Sequence, residues 1–100
     1  MIDIKEYTDD VATLLIRDIQ QEIHRLTEEA VKSIQQQRVL SQKRRLLIES
    51  FDSISSAMTQ LFIKELVMGM DQEIAILDEK IHKCEAHKEY YNDILEVVRI

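Results

Sequence analysis

Glu79-Lys80-Ile81-His82 has the Glu-x-x-His spacing with which helical bundles hold paired iron ions. One helical turn separates the carboxylate from the imidazole, so both can reach one metal. Such a site needs a second pair and further inward carboxylates. The only parallel in the chain is Gln21-Glu22-Ile23-His24, where Gln stands in place of the Glu. A second copy of the chain could duplicate Glu79 and His82, but Ile81 lies on an apolar stripe and turns both toward its flank. His82, Cys84 and His87 form another close group. Cys84 and His87 are one turn apart and suit a soft metal, yet zinc wants four ligands. His24 is the only other His and there is no second Cys. Cys84 is expected instead as a small apolar core residue. No metal and no cofactor are expected.

Nucleophilic catalysis has little basis. Cys84 would be an unreactive buried thiol, and one helix makes no concave pocket. Ser50, Ser53, Ser55 and Ser56 have no base at a recognisable spacing. A phosphate-cradling loop needs several glycines, and Gly69 is the only one. The chain is not expected to be an enzyme.

Arg38, Lys43, Arg44 and Arg45 form a basic cluster. Residues 1–30 hold eight acids against three bases, residues 31–70 three against six, and residues 71–100 eight against four. The middle of the chain is therefore basic between acidic arms. A phosphate or nucleic-acid patch is one interpretation. No aromatic residue interleaves the cations to stack on bases, and the net charge of −6 disfavours a polyphosphate. The cluster is expected to face acidic helices and select topology, so nucleic acid is not an expected partner.

The stretch Leu61-Phe62-Ile63-Lys64-Glu65-Leu66-Val67-Met68-Gly69-Met70 carries more apolar surface than one helix face can bury. Leu61 and Phe62 suffice for a seam within the chain. Ile63, Leu66, Val67, Met68 and Met70 are then expected at a self-association or partner-binding surface, where Met suits adaptable contacts. Tyr90, beside Tyr91 of the seam, is a candidate anchor of the same kind. Complete coverage by other helices of the chain is the competing interpretation.

Three helical segments are expected to position these residues, at about 4–38, 42–68 and 71–99, in a single domain spanning 1–100. The first opens with Asp3 and Glu6 as a capping box or Thr8 as a cap, and its apolar face is Val11, Leu15, Ile19, Ile23, Leu26, Ala30 and Ile34. The polar run Gln35-Gln36-Gln37 marks the end of that face. The next face, Leu47, Phe51, Ile54, Met58, Leu61 and then Phe62 or Glu65, is rotated away from the first, which places a reversal near Arg38–Gln42 with Ser41 as cap. Ser50–Ser56 is a second possible break, because Ser and Asp compete locally for backbone bonds. Gly69 and Asp71 read as the end of one helix and the cap of the next. Beyond them, Ile74, Leu77, Ile81, Cys84, Lys88, Tyr91, Leu95 and Val98 alternate steps of three and four, a sustained heptad. Lys88 interrupts it only by its ammonium, since the aliphatic stem can lie along a seam.

Composition agrees with this pattern. The chain of 100 residues is 45% hydrophobic and has one Gly, no Pro and no Trp. A sheet protein of this length needs turn residues that the chain lacks, and one Cys excludes a disulfide scaffold. The expected fold is all-α, an elongated antiparallel three-helix bundle or a coiled-coil hairpin with a third helix, completed by dimerisation. No signal peptide and no apolar run of membrane-spanning length is visible, so a cytoplasmic location without membrane association is expected.

In size and acidic character the chain resembles small helical chaperones and adaptors of bacterial secretion systems. It is similar in size to the hundred-residue helical hairpins exported as pairs, but without Trp it lacks their Trp-x-Gly turn. The expected function is a non-enzymatic protein–protein interaction module, acting as a chaperone or adaptor through helix packing, with a protein partner or a second copy in a homodimer. A structural subunit of a phage or secretion assembly and a small acidic inhibitor of a basic enzyme or nucleic-acid-binding protein are the alternatives.

Overall fold

The computed structural model describes residues 9–98. They form two helices, α1 over Asp9–Phe51 and α2 over Ala57–Val98. The all-α class holds, with two helices instead of three. The capping candidates Asp3, Glu6 and Thr8, and the outer ends of the expected first and third helices, lie outside the described residues.

Neither the reversal at Arg38–Gln42 nor the break at Gly69 exists: α1 runs through Ser41, and α2 runs through Gly69 and Asp71. Gly69 is exposed in the middle of α2 and its φ is not positive, so it does not act as a left-handed helix terminator. Among the described residues the single reversal falls at 52–56, inside the Ser-rich stretch that the sequence offers as its second break.

Local hydrogen bonds explain that position. Ser50 Oγ donates to the Leu46 carbonyl at 2.8 Å. The Ser53 and Ile54 amides donate to the Ser50 and Phe51 carbonyls at 3.1 and 3.2 Å, tightening the last turn of α1. Ser56 caps α2, its Oγ accepting the Thr59 amide at 3.2 Å. Gln60 Nε2 donates back to the Phe51 and Ile54 carbonyls at 3.2 and 2.9 Å, satisfying acceptors that the end of α1 leaves open. No glycine or proline is needed, because serine and glutamine side chains supply the turn chemistry.

Packing divides the chain into two units. One joins the chain up to Val31 with the chain from His82; the other is Lys32–Ile81. In the first, the inward face is Ala12, Ile16, Ile19, Ile23, Leu26 and Ala30 from α1, and Cys84, Lys88, Tyr91, Leu95 and Val98 from α2, all buried or half-buried. Leu26, Ala30 and Cys84 form its cluster, with Tyr91 packed against them. Lys88 lies with its stem in the seam and its Nζ 3.7 Å from Glu85, as the heptad predicts.

The second unit is an antiparallel helical hairpin. Its inward face is Ser33, Gln37, Leu40, Arg44, Leu47 and Phe51 from α1, and Gln60, Ile63, Val67, Met70, Ile74, Leu77 and Ile81 from α2. Every step in both sets is three or four in alternation. The heptad recognisable from Ile74 onward therefore begins much earlier, at Gln60. In α1 it passes through three polar residues, and this explains the misplaced reversal. Ser33 is 1% exposed, Gln37 Nε2 donates to the Ile74 carbonyl at 3.1 Å, and Arg44 pairs with Asp71. An apolar stripe traced without them keeps only Leu40 between Ala30 and Leu47, so the sequence reading strays to exposed Ile34 and then meets Leu47 on an apparently different side. Several stripe residues chosen from the sequence are correspondingly solvent-exposed: Val11, Leu15, Ile34, Met58, Leu61 and Phe62.

Candidate interaction surface on the helical hairpin

A two-helix seam covers only one face of each helix. Among the described residues, seventeen large hydrophobic side chains are exposed, ten of them in Lys32–Ile81 and seven in the other unit. In the hairpin these lie outside the seam.

One groove is lined by Lys32, Gln35, Gln36, Val39, Leu40 and Lys43 of α1 and by Glu73, Ile76 and Leu77 of α2. Leu40 and Leu77 are seam residues that form its floor, while Val39 and Ile76 stand out from it at 49% and 65% exposure. Lys32 and Lys43 give it a cationic rim. A second groove is lined by Ile48, Phe51 and Asp52 of α1 and Ile63, Lys64, Val67 and Met68 of α2. Lys64 Nζ sits 5.5 Å from the centroid of the Phe51 ring, a cation–π distance.

The residues expected at a partner surface occupy distinct places. Ile63 is buried in the seam and Val67 and Met70 are half-buried there. Ile63, Val67 and Met68 line the second groove together, with Met68 at its open edge. Leu66 is exposed, as is the neighbouring Phe62, four residues before it. Those two lie one helical turn apart outside the seam and form a continuous apolar strip. Tyr90 is exposed in the other unit, with its ring 6.0 Å from that of His87. Sequence periodicity alone does not single out Ile48, which the hairpin brings beside Ile63, Val67 and Met68, or Val39 and Ile76, which it brings together in the first groove. Their signal is an apolar residue that falls between seam positions.

The basic cluster is not one patch. Arg44 binds Asp71 across the hairpin through two hydrogen bonds of 2.6 and 3.4 Å. Arg45 Nε pairs with Glu49 at 3.1 Å along α1. Arg38 lines a shallow groove with Ile34, Gln37, Ser41, Gln42 and Arg45, and Lys43 belongs to the rim of the groove at Val39. In the other unit, Arg25 Nε donates to Glu22 at 2.8 Å, and this hydrogen bond holds the guanidinium pKa above its ordinary value.

Glu79, His82 and His87 are exposed, whereas Cys84 is buried in the seam. No group of three or more His, Cys, Asp or Glu residues gathers at metal-binding distance among the described residues. No helix among them is long and apolar enough to cross a membrane. Compared with models of protein families, with curated proteins and with solved structures, the chain shows no match.

Proposed function

We propose that this chain is a non-enzymatic helical interaction module, a chaperone or adaptor that takes a partner protein by helix-to-helix packing on the hairpin Lys32–Ile81. The observation that supports this is the apolar strip of Phe62 and Leu66, together with Met68 and Ile48 at the other groove, all exposed beside a seam that is already filled. Exposed apolar residues at helical spacing are what a groove-binding or bundle-completing helix packs against. Burying four such side chains is worth about 1.5–3 kcal/mol each before the costs of association. A cytoplasmic setting belongs to the same reading, because Cys84 is buried and unpaired and the fold uses no disulfide.

Capture on the immobilised chain, followed by mass spectrometry, tests the reading when wild type is compared with Phe62→Asp/Leu66→Asp. A partner retained by wild type and lost by the variant, with helicity unchanged by circular dichroism, supports it. A set of retained proteins identical for both overturns it.

A further inference from the structure

The two units carry complementary patches on α1. In the first unit, Leu15 is 44% exposed and Glu22 stands seven residues later, at the same heptad position. In the second, exposed Lys32 is followed seven residues later by Val39, which is 49% exposed and lines the groove with Ile76 and Lys43. Read from N- to C-terminus, one patch is apolar then acidic, and the other is basic then apolar. When the two run antiparallel, Leu15 meets Val39 and Glu22 meets Lys32. When they run parallel, each charge is set against an aliphatic side chain, and Lys32 gains no counter-ion from the contact. The electrostatic balance of the units has the same sense. The unit containing Leu15 and Glu22 has twelve acids against six bases, whereas α1 between Lys32 and Arg45 has five bases and no acid. Arg25 already orients the Glu22 carboxylate at 2.8 Å, so that carboxylate is held in place on the helix surface.

We infer that the occupant of the Lys32–Val39 groove is a second copy of this chain, whose Leu15–Glu22 patch lies antiparallel across it. Each copy carries both patches, so the contact is one that copies of a single chain can make with each other. The inference rests on the interaction-module reading but uses residues other than Phe62, Leu66 and Met68, so the two can fail separately.

Sedimentation equilibrium of the full chain across a concentration series tests it. Wild type is expected to self-associate. Lys32→Glu and Glu22→Lys are each expected to weaken self-association by about tenfold or more, because a like-charge pair then occurs at the contact. The double variant Lys32→Glu/Glu22→Lys, and an equimolar mixture of the two single variants, are expected to regain wild-type association. Circular dichroism of each variant controls for the fold. A wild-type monomer at every concentration overturns the inference while leaving capture of another protein through Phe62 and Leu66 open. Self-association that survives both single reversals also overturns it, as does failure of the double variant to recover.

Discussion

Arg44 holds Asp71 with two donors of its guanidinium, Nε to Oδ1 at 2.6 Å and Nη2 to Oδ2 at 3.4 Å, and so ties α1 to α2 across the hairpin. Both residues stand where the sequence invites a chain break, Arg44 just past the expected reversal at Arg38–Gln42 and Asp71 just past Gly69. The bond shows what those positions do instead. A planar fork against a carboxylate has one good register, so the pair selects how the two helices slide past each other. Its contribution to stability is small, because both side chains are more than a third exposed. A double-mutant cycle with Arg44→Ala and Asp71→Ala is expected to give a coupling of about 0.2–1 kcal/mol that falls in high salt. A coupling several times larger, or one insensitive to salt, would show that the pair is not acting as a solvated ion pair.

How much of this was legible in the sequence follows from what fills the seam. From Ile74 to Val98 the seam is apolar apart from Lys88, and period and membership are read correctly from residue types alone. Before Ile74 the same period runs through Gln60, Ser33, Gln37 and Arg44. Gln37 and Arg44 are held there by partners in the other helix, the Ile74 carbonyl and Asp71. A one-dimensional pattern registers such residues as a gap, and a gap reads as a turn. Gly69 misleads for a related reason: glycine marks a helix end only where a left-handed φ is required, and here none is. The true turn was visible as a cluster of serines, but its clamp, Gln60 reaching back over six and nine residues, was not. For the surface, the sequence located the excess of apolar residues near Gly69 and could not divide it between seam and solvent. That division depends on which helix face meets α1.

Ile63 and Leu66 test that division directly. Ile63 is 7% exposed and Leu66 is 39% exposed. Ile63→Asp buries a carboxylate with no counter-ion and is expected to destabilise the fold by about 3 kcal/mol or more. Leu66→Asp is expected to change stability by no more than about 0.5 kcal/mol. Urea unfolding followed by circular dichroism checks both. Equal losses would mean that Leu66 is also core, and the proposed partner strip would lose half its basis.

Gly69 offers a stabilising change. It sits in the interior of α2, is exposed, and an added Cβ would meet no neighbour within 4 Å. Gly69→Ala therefore removes backbone freedom from the unfolded chain without a steric penalty. A gain of about 1 kcal/mol is expected, visible as a Tm several degrees higher. A lower Tm would indicate that α2 is not continuous at this position, or that another surface packs closely against it.

Cys84 reports on whether the seam is closed. Its side chain is 6% exposed and packs in the cluster with Leu26 and Ala30. A thiol held there is shielded from reagents and lies within a helix, so only opening of α2 from α1 makes it available. In native buffer, labelling by an aromatic disulfide reagent is expected to be far slower than for the urea-unfolded chain. With increasing urea the rate should rise in step with loss of helicity, because the same event exposes the sulfur and frees the helices. Replacing the thiol tests the packing role separately: Cys84→Ala keeps a small apolar group in the seam and is expected to retain the fold, whereas Cys84→Asp is expected to destabilise it, since a carboxylate then replaces an apolar contact with Leu26 and Ala30. Native labelling as fast as in urea, with helicity intact, would mean that the two helices separate around Cys84 without unfolding.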